Sequence, residues 1–287
     1  RCWVVIDDMA ISGIKKEYGV PADLAERIAK LTPAQRALLH QRLERRDGSR
    51  PFKGGDDDPA GAVSFAQERL WFLNQLDPES HVYNITSAFH LQGDLNLNAL
   101  QSAVDGVLRR HEVLRTRIRN ENGRPALALV ADEKCEVTVV SLEEKPRSAE
   151  DEDVTRLIQA EAKRPFDLAR DALLRVTVLR LAPQDHILLL SVHHIASDAW
   201  SMRILYREIA EFYEAVVVGR PPQLPPLPIQ YAEYARRQRR RFQGRALERD
   251  LDYWKKQLAG SAPLLALRTD HPRSERQGHR GASELFV

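Results

Sequence analysis

The stretch SVHHIASDAWS, residues 191–201, sets two adjacent histidines and an aspartate behind the apolar run HILLLSV. Imidazole titrates near neutral pH, so a histidine here could act as a base, a proton donor or a metal ligand. Three readings follow: a catalytic histidine, a His193–His194–Asp198 metal site, or a strand end meeting a helix cap. Neighbouring side chains on a strand point to opposite faces, so His193 and His194 cannot both enter one cleft from regular strand geometry. One faces the cleft and the other is packed or hydrogen-bonded inside. Asp198 or Ser197 stands where an N-cap belongs, and the amides of the following helix turn are natural oxyanion donors. The metal reading lacks HExxH spacing. The residues alone reach a candidate histidine base at a sheet edge, with its substrate open.

The surrounding elements must position that segment. HILLLSV reads as a central strand covered on both faces, because its apolar residues run on without alternation. ALLRVTVLRL precedes it as a second strand, with PQD (183–185) as the hairpin between them. Met202, Leu205, Ile209, Phe212 and Val216 step by three and four, which predicts a helix ending at Gly219. RPPQLPPLP cannot continue it and reads as an extended connector. Upstream, Ser64 and Gln67 have capping-box spacing before a helix. ITSAFHL (85–91) reads as a strand, and Leu97, Leu100, Val104 and Val107 share one helical face. Short strands are expected at LRTRI, PALALV and EVTVVSL, then an acidic loop and an amphipathic helix up to about residue 163. Two helices follow the connector, IQYAEYARRQRRRF and ALERDLDYWKKQL, before a loop-like tail with a strand at its end. The mixture predicts an α/β fold around one sheet, an α+β sandwich.

Residues 1–50 read as a helical linker or docking segment, with Thr32, Pro33 and Gln35 as a second capping signature. Residues 51–61 are rich in Gly, Pro and charge and read as a flexible linker. The 287 residues are 43% hydrophobic and 29% charged, which suits a globular protein, and the net charge of +2 gives no overall field for nucleic acid. Cys2 and Cys135 form neither a disulfide framework nor a metal pattern, which favours a reducing, cytoplasmic setting. No apolar run reaches the length of a membrane span. The chain starts at Arg1 without an initiator Met, which suggests a fragment or a processed chain. RRQRRRF (236–242) is expected to be a solvated helix face, ahead of docking an acidic carrier protein and of binding nucleic acid.

SVHHIASDAWS resembles the HHxxxDG motif of nonribosomal peptide synthetase condensation domains, members of the chloramphenicol acetyltransferase-like superfamily. SFAQERLWFL (64–73) is similar to the family's first motif and RHEVLRTRI (110–118) to its second. PFDLARDALLRVTVLRL, IQYAEYARRQR and YWKKQL resemble further segments, in order along the chain. The opening is most similar to the subtype that joins two L-configured units, and paired histidines differ from the heterocyclising subtype.

The resemblance implies amide-bond formation between a donor acyl or peptidyl thioester and an acceptor aminoacyl thioester. Both ride on the 4′-phosphopantetheine arms of upstream and downstream peptidyl carrier proteins, with no cofactor or metal bound directly. An adenylation domain is expected in the same parent chain, and neither nucleic acid nor membrane as a partner. His194 would be the catalytic histidine and His193 its structural partner. Asp198 would brace the site through a salt bridge to Arg110. Arg115 matches the second motif's other arginine, and Trp254 a tryptophan of structural role. Ala199 stands where the motif has glycine, at a position of oxyanion or acceptor contact. Residues 62–222 would form the N-terminal lobe, and 223–287 the inter-lobe connector and a truncated start of the second lobe. The isolated chain is therefore expected to be weakly active or inactive. The rival readings are a non-catalytic carrier-docking module and a free-standing CoA-dependent acyltransferase.

Overall fold

The computed structural model describes residues 63–143 and 151–262. The expected elements in residues 1–61 and the closing strand lie outside the described residues. In chain order the elements are α1 (Phe65–Leu76), β1 (Asn84–Gln92), α2 (Leu97–Arg110), a 3-10 turn (Glu112–Arg115), β2 (Thr116–Glu121), β3 (Arg124–Leu129) and β4 (Val137–Ser141). Then come α3 (Glu152–Lys163), β5 (Leu174–Ala182), β6 (Asp185–His193), α4 (Ala199–Val218), α5 (Tyr231–Arg241) and α6 (Gly244–Gln257).

Four strands form a mixed sheet in the order β1-β6-β5-β4. β6 is antiparallel to both β1 and β5, while β4 runs parallel to β5. The continuous apolar run of β6 has the predicted cause. Leu188, Leu190 and Val192 join the core formed with α2 and α4, and Ile187 and Leu189 meet Val154 and Ile158 of α3 on the other face. Each such side chain, when fully buried, contributes about 1.5–3 kcal/mol of transfer free energy, so the central strand is the most heavily anchored element.

β2 and β3 form a separate hairpin. Asn122 and Gly123 form its turn with φ of 52° and 79°, the left-handed pair that matches strand twist in a two-residue loop. α1 packs Leu70 and the fully buried Trp71 against Ile118 and Leu127 of that hairpin and against Phe166, Leu173 and Ile195. The Ser64–Gln67 capping box is present in both directions.

α2 and α4 pass closely enough that a Cβ on Gly106 would stand 2.8 Å from Phe212 Cδ1. α4 ends at Gly219, whose φ of 68° places it in the left-handed region that glycine adopts without a Cβ penalty. Glu211 then receives both guanidinium ends of Arg220 and the Gln223 amide, which holds its carboxyl down at about 2 and fixes the start of the connector. α5 lies against α1. Ala235 is fully buried, Gln238 accepts from the Phe65 amide, and Arg239 donates to Val63 O and to Glu68. α6 buries none of its residues.

Candidate active site

β6 delivers His193 to the end of the sheet, opposite Asn84 on β1. The chain then turns through 194–198 and enters α4. The first three amides of that turn are held. The His194 amide donates to Tyr83 O at 2.8 Å, and the Ala196 amide to His193 O at 2.9 Å. The Ile195 amide donates to His193 Nδ1 at 3.1 Å, and Ile195 O accepts from Gln67 Nε2 at 3.3 Å.

The two histidines separate as expected, His193 closing the strand and His194 opening the turn. His193 is 2% exposed, with its ring edge-on to Phe166 at 5.9 Å, so it is a packed and hydrogen-bonded member of the interior. His194 is half-buried, and its Nδ1 lies 2.6 Å from Ser197 O. A carbonyl oxygen only accepts, so Nδ1 carries the proton and the lone pair of the neutral ring belongs to Nε2. The Tyr83 ring lies nearly parallel to His194 at 6.5 Å.

Asp198 is the N-cap of α4, in extended backbone, and its Oδ1 accepts from Ser201 N at 2.8 Å and Ser201 Oγ at 2.7 Å. Those two bonds, backbone first, hold its carboxyl below the usual aspartate value, and the His194 charge adds to the effect. The cap also occupies the Ser201 amide, one of the first-turn donors expected for an oxyanion.

The expected Asp198–Arg110 salt bridge is not formed. Arg110 Nε donates instead to Glu208 Oε2 at 3.0 Å, and its Nη2 donates to Pro225 O at 2.5 Å. His111 Nε2 meets the same Glu208 oxygen at 2.6 Å. The reason is placement. Asp198 starts α4, whereas Arg110 ends α2 beside the middle of α4, where the side chain of Glu208 is only 3% exposed. The buried carboxylate takes the guanidinium. Gln230 extends this knot, donating to Arg110 O and accepting from the Glu112 amide.

Arg115 is also apart from the histidines; its Nη1 donates to Val130 O at 3.1 Å and braces the exit of the β2–β3 hairpin. Trp254 is 58% exposed on α6 and meets the Tyr253 ring edge-on, so the expected structural role has no core around it among the described residues. Ala199 is the exposed first residue of α4. Among the described residues only Asn122 is a non-glycine with positive φ, so the backbone at 199 has no need of glycine. The arginine segment is only partly solvated: Arg236, Arg237 and Arg240 share Glu233, while Arg239 is drawn onto Glu68 and stands over the Phe65 ring at 4.1 Å. No group of three or more His, Cys, Asp or Glu residues among the described ones could hold a metal ion, and no described helix is long and apolar enough to cross a membrane.

Residues 60–286 match the family model described as Condensation domain. The chain belongs to the condensation-domain family. It is 40% identical to the chondramide synthase cmdD of Chondromyces crocatus over 240 residues, covering 83% of this chain and 6% of that protein. It is 38% identical to phosphinothricin tripeptide synthetase PhsC of Streptomyces viridochromogenes, covering 92% of this chain and 25% of that one. Among solved structures, the X-domain from teicoplanin biosynthesis superposes with a TM-score of 0.64 at 29% identity, over 74% of this chain and 46% of that chain. The first condensation domain of the CDA synthetase gives a TM-score of 0.61 at 23% identity, over 73% of this chain and 52% of that chain, a likeness of fold. The chain therefore spans about half the length of the condensation-domain structures it matches and a small part of the synthetases. The mixed sheet flanked by helices is the architecture these relatives share, as the α/β expectation required.

Sequence reasoning missed two positions. Glu208 lies three residues after Leu205 and just before Ile209, so it was visible as a charge set into the apolar stripe of α4. Tyr231 is brought to this end of the fold by the connector, and its hydroxyl lies 3.1 Å from Ser64 Oγ. Burial pushes its phenol up, and the Asp198 charge adds to that, so the phenol feels the helix cap of the histidine site.

Proposed function

We propose that this chain carries the histidine half of a site that joins a donor acyl or peptidyl thioester to the amine of an acceptor aminoacyl thioester, both presented on phosphopantetheinyl carrier proteins. The reading is carried by His194, whose Nδ1 is committed to Ser197 O, so that Nε2 is the basic nitrogen at the sheet edge. A thioester is already activated, and an α-amino group with a pKa of about 7.7–8.0 is partly neutral at working pH. Attack of the amine nitrogen forms the C–N bond as the carbonyl π bond opens to an oxyanion. His194 Nε2 takes the ammonium proton as charge develops, and collapse of the intermediate expels the thiolate, which recovers a proton. Asp198 favours the transient imidazolium electrostatically while its direct bonds hold the start of α4. Asp198, His193, Arg110 and Arg115 are architectural in this scheme, residues 62–222 are the lobe that presents the histidine, and carrier domains are the partners.

The test is amide formation between loaded carriers, with this sequence placed in a full-length condensation domain. His194→Ala is expected to lower the rate at least about a hundredfold, the lower end of general acid–base contributions. Wild-type rates in that variant, with saturating carriers, would refute the role. A second reading is a docking module, favoured by a teicoplanin X-domain at 27% identity that was solved in complex with OxyB. Carrier binding without amide formation in the wild-type protein would support it.

A further inference from the structure

The first motif and the segment after the connector lie 167 positions apart at Ser64 and Tyr231, yet they share a hydrogen bond. From there the contacts continue without a break to the histidine turn. Tyr231 Oη meets Ser64 Oγ at 3.1 Å, Ser64 Oγ accepts the Gln67 amide at 3.1 Å, and Gln67 Nε2 donates to Ile195 O at 3.3 Å. Gln67 is 2% exposed and has both ends of its amide engaged, since its Oε1 accepts from Ser64 N. Ser64 is fully buried. Ile195 is the residue after His194, and its own amide is fixed on His193 Nδ1. The turn that aims His194 is thus held from the strand side by His193 and from the α1 side by Gln67.

A capping box needs Glu or Gln three residues into the helix only for the acceptor that reaches back to the cap. Glutamate supplies that acceptor as well as glutamine does. It cannot, when ionised, donate to the Ile195 carbonyl. The amide end of Gln67 is therefore surplus to capping and has one partner among the described residues, the turn that carries His194. We infer that Gln67 is a positioning residue for His194, and that Ser64 and the hydroxyl of Tyr231 couple α5, and so the connector, to that position. The inference rests on the catalytic reading of His194 for its rate consequence, but its geometric consequence stands apart from that reading.

Two readouts keep these separate. The first is the ring resonances of His194 in protein labelled with 15N-histidine, assigned by their loss in His194→Ala. The second is the steady-state rate of amide formation in the full-length domain. Gln67→Glu retains the cap, Gln67→Met removes the donor without adding charge, and Tyr231→Phe removes only the hydroxyl. Both Gln67 variants are expected to move the His194 ring signals and to lower kcat by about threefold to tenfold, the worth of one hydrogen bond, with acceptor KM within twofold. Tyr231→Phe is expected to shift the same signals in the same direction by less. A role confined to capping predicts a wild-type spectrum and wild-type kcat in Gln67→Glu, and that result would overturn the inference. So would an unmoved His194 signal in Gln67→Met and Tyr231→Phe. If wild-type protein makes no amide, the proposed function fails while the spectra still decide the positioning role.

Discussion

Replacing Glu208 should damage the fold more than replacing Asp198, although Asp198 is the residue that belongs to the sequence motif. The Glu208 side chain is 3% exposed and takes Arg110 Nε at 3.0 Å and His111 Nε2 at 2.6 Å. Glu208→Ala leaves a guanidinium that is only 16% exposed without its carboxylate. Stranding one partner of a buried pair costs about 3–5 kcal/mol. The remaining Arg110 bond to Pro225 O places the expectation toward the lower part of that range. At 2–4 °C per kcal/mol for a domain of this size, Tm should fall by about 6–20 °C. Asp198 is exposed and caps one helix, so Asp198→Ala should cost about 0.5–2 kcal/mol, or about 1–8 °C. Thermal unfolding of both variants at pH 7.5 measures the contrast. The Asp198 difference also has a pH signature. Its folded carboxyl lies below the ordinary value, so the cap contributes fully above the unfolded-state pKa of about 3.9 and is lost as pH falls through the folded value. The gap between wild type and Asp198→Ala should be level from pH 5 to 8 and narrow below about pH 3.9. A larger loss for Asp198→Ala than for Glu208→Ala would refute the assignment of the buried pair. So would strict additivity of Arg110→Ala and Glu208→Ala, since residues in direct contact should couple.

Two further outcomes follow from packing. Gly106→Ala sets a Cβ 2.8 Å from the Phe212 ring and should cost about 1–3 kcal/mol by overpacking, and Phe212→Leu in the same chain should recover part of that loss in a urea titration. Cys135 is buried with its thiol pushed up to about 12, chiefly by desolvation, so in a Cys2→Ser background it should resist Ellman's reagent at pH 8 until denaturant is added.

Much of this architecture was legible because local pattern and tertiary demand coincide. The uninterrupted run of β6 announced a strand covered on both faces, Ser64 and Gln67 announced a cap, and Gly219 followed by prolines announced the end of α4. Strand alternation anticipated the split between His193 and His194, and the end of β6 at His193 completes it by placing His194 in the turn. What was not legible depends on partners far away in sequence. That β4 runs parallel to β5 is a choice no local pattern encodes. The hairpin at Asn122–Gly123 was encoded, since Asn-Gly is a strong two-residue turn signal, but the two strands were read singly. The error over Arg110 has a definite physical origin. A motif says which residue types recur, and it does not say that a helix carries a second carboxylate ten positions further on, buried where Asp198 is exposed. Sequence spacing placed Asp198 near the histidines correctly and gave no measure of its distance from the end of α2.

The close passage at Gly106 has a mechanical consequence. Gly106 meets Phe212 and Arg110 meets Glu208, so α2 and α4 run antiparallel and touch at two points one turn apart. These two contacts fix the register of α2 against α4, and with it the separation of Arg110 from Asp198 at the start of α4. Residues 219–230 join that helix pair to α5 along the chain. That segment holds five prolines, at 221, 222, 225, 226 and 228, each with a fixed φ. It is a strut rather than a tether, pinned at its start by Glu211 on Arg220 and the Gln223 amide and at its end by Gln230 on Arg110 O and the Glu112 amide.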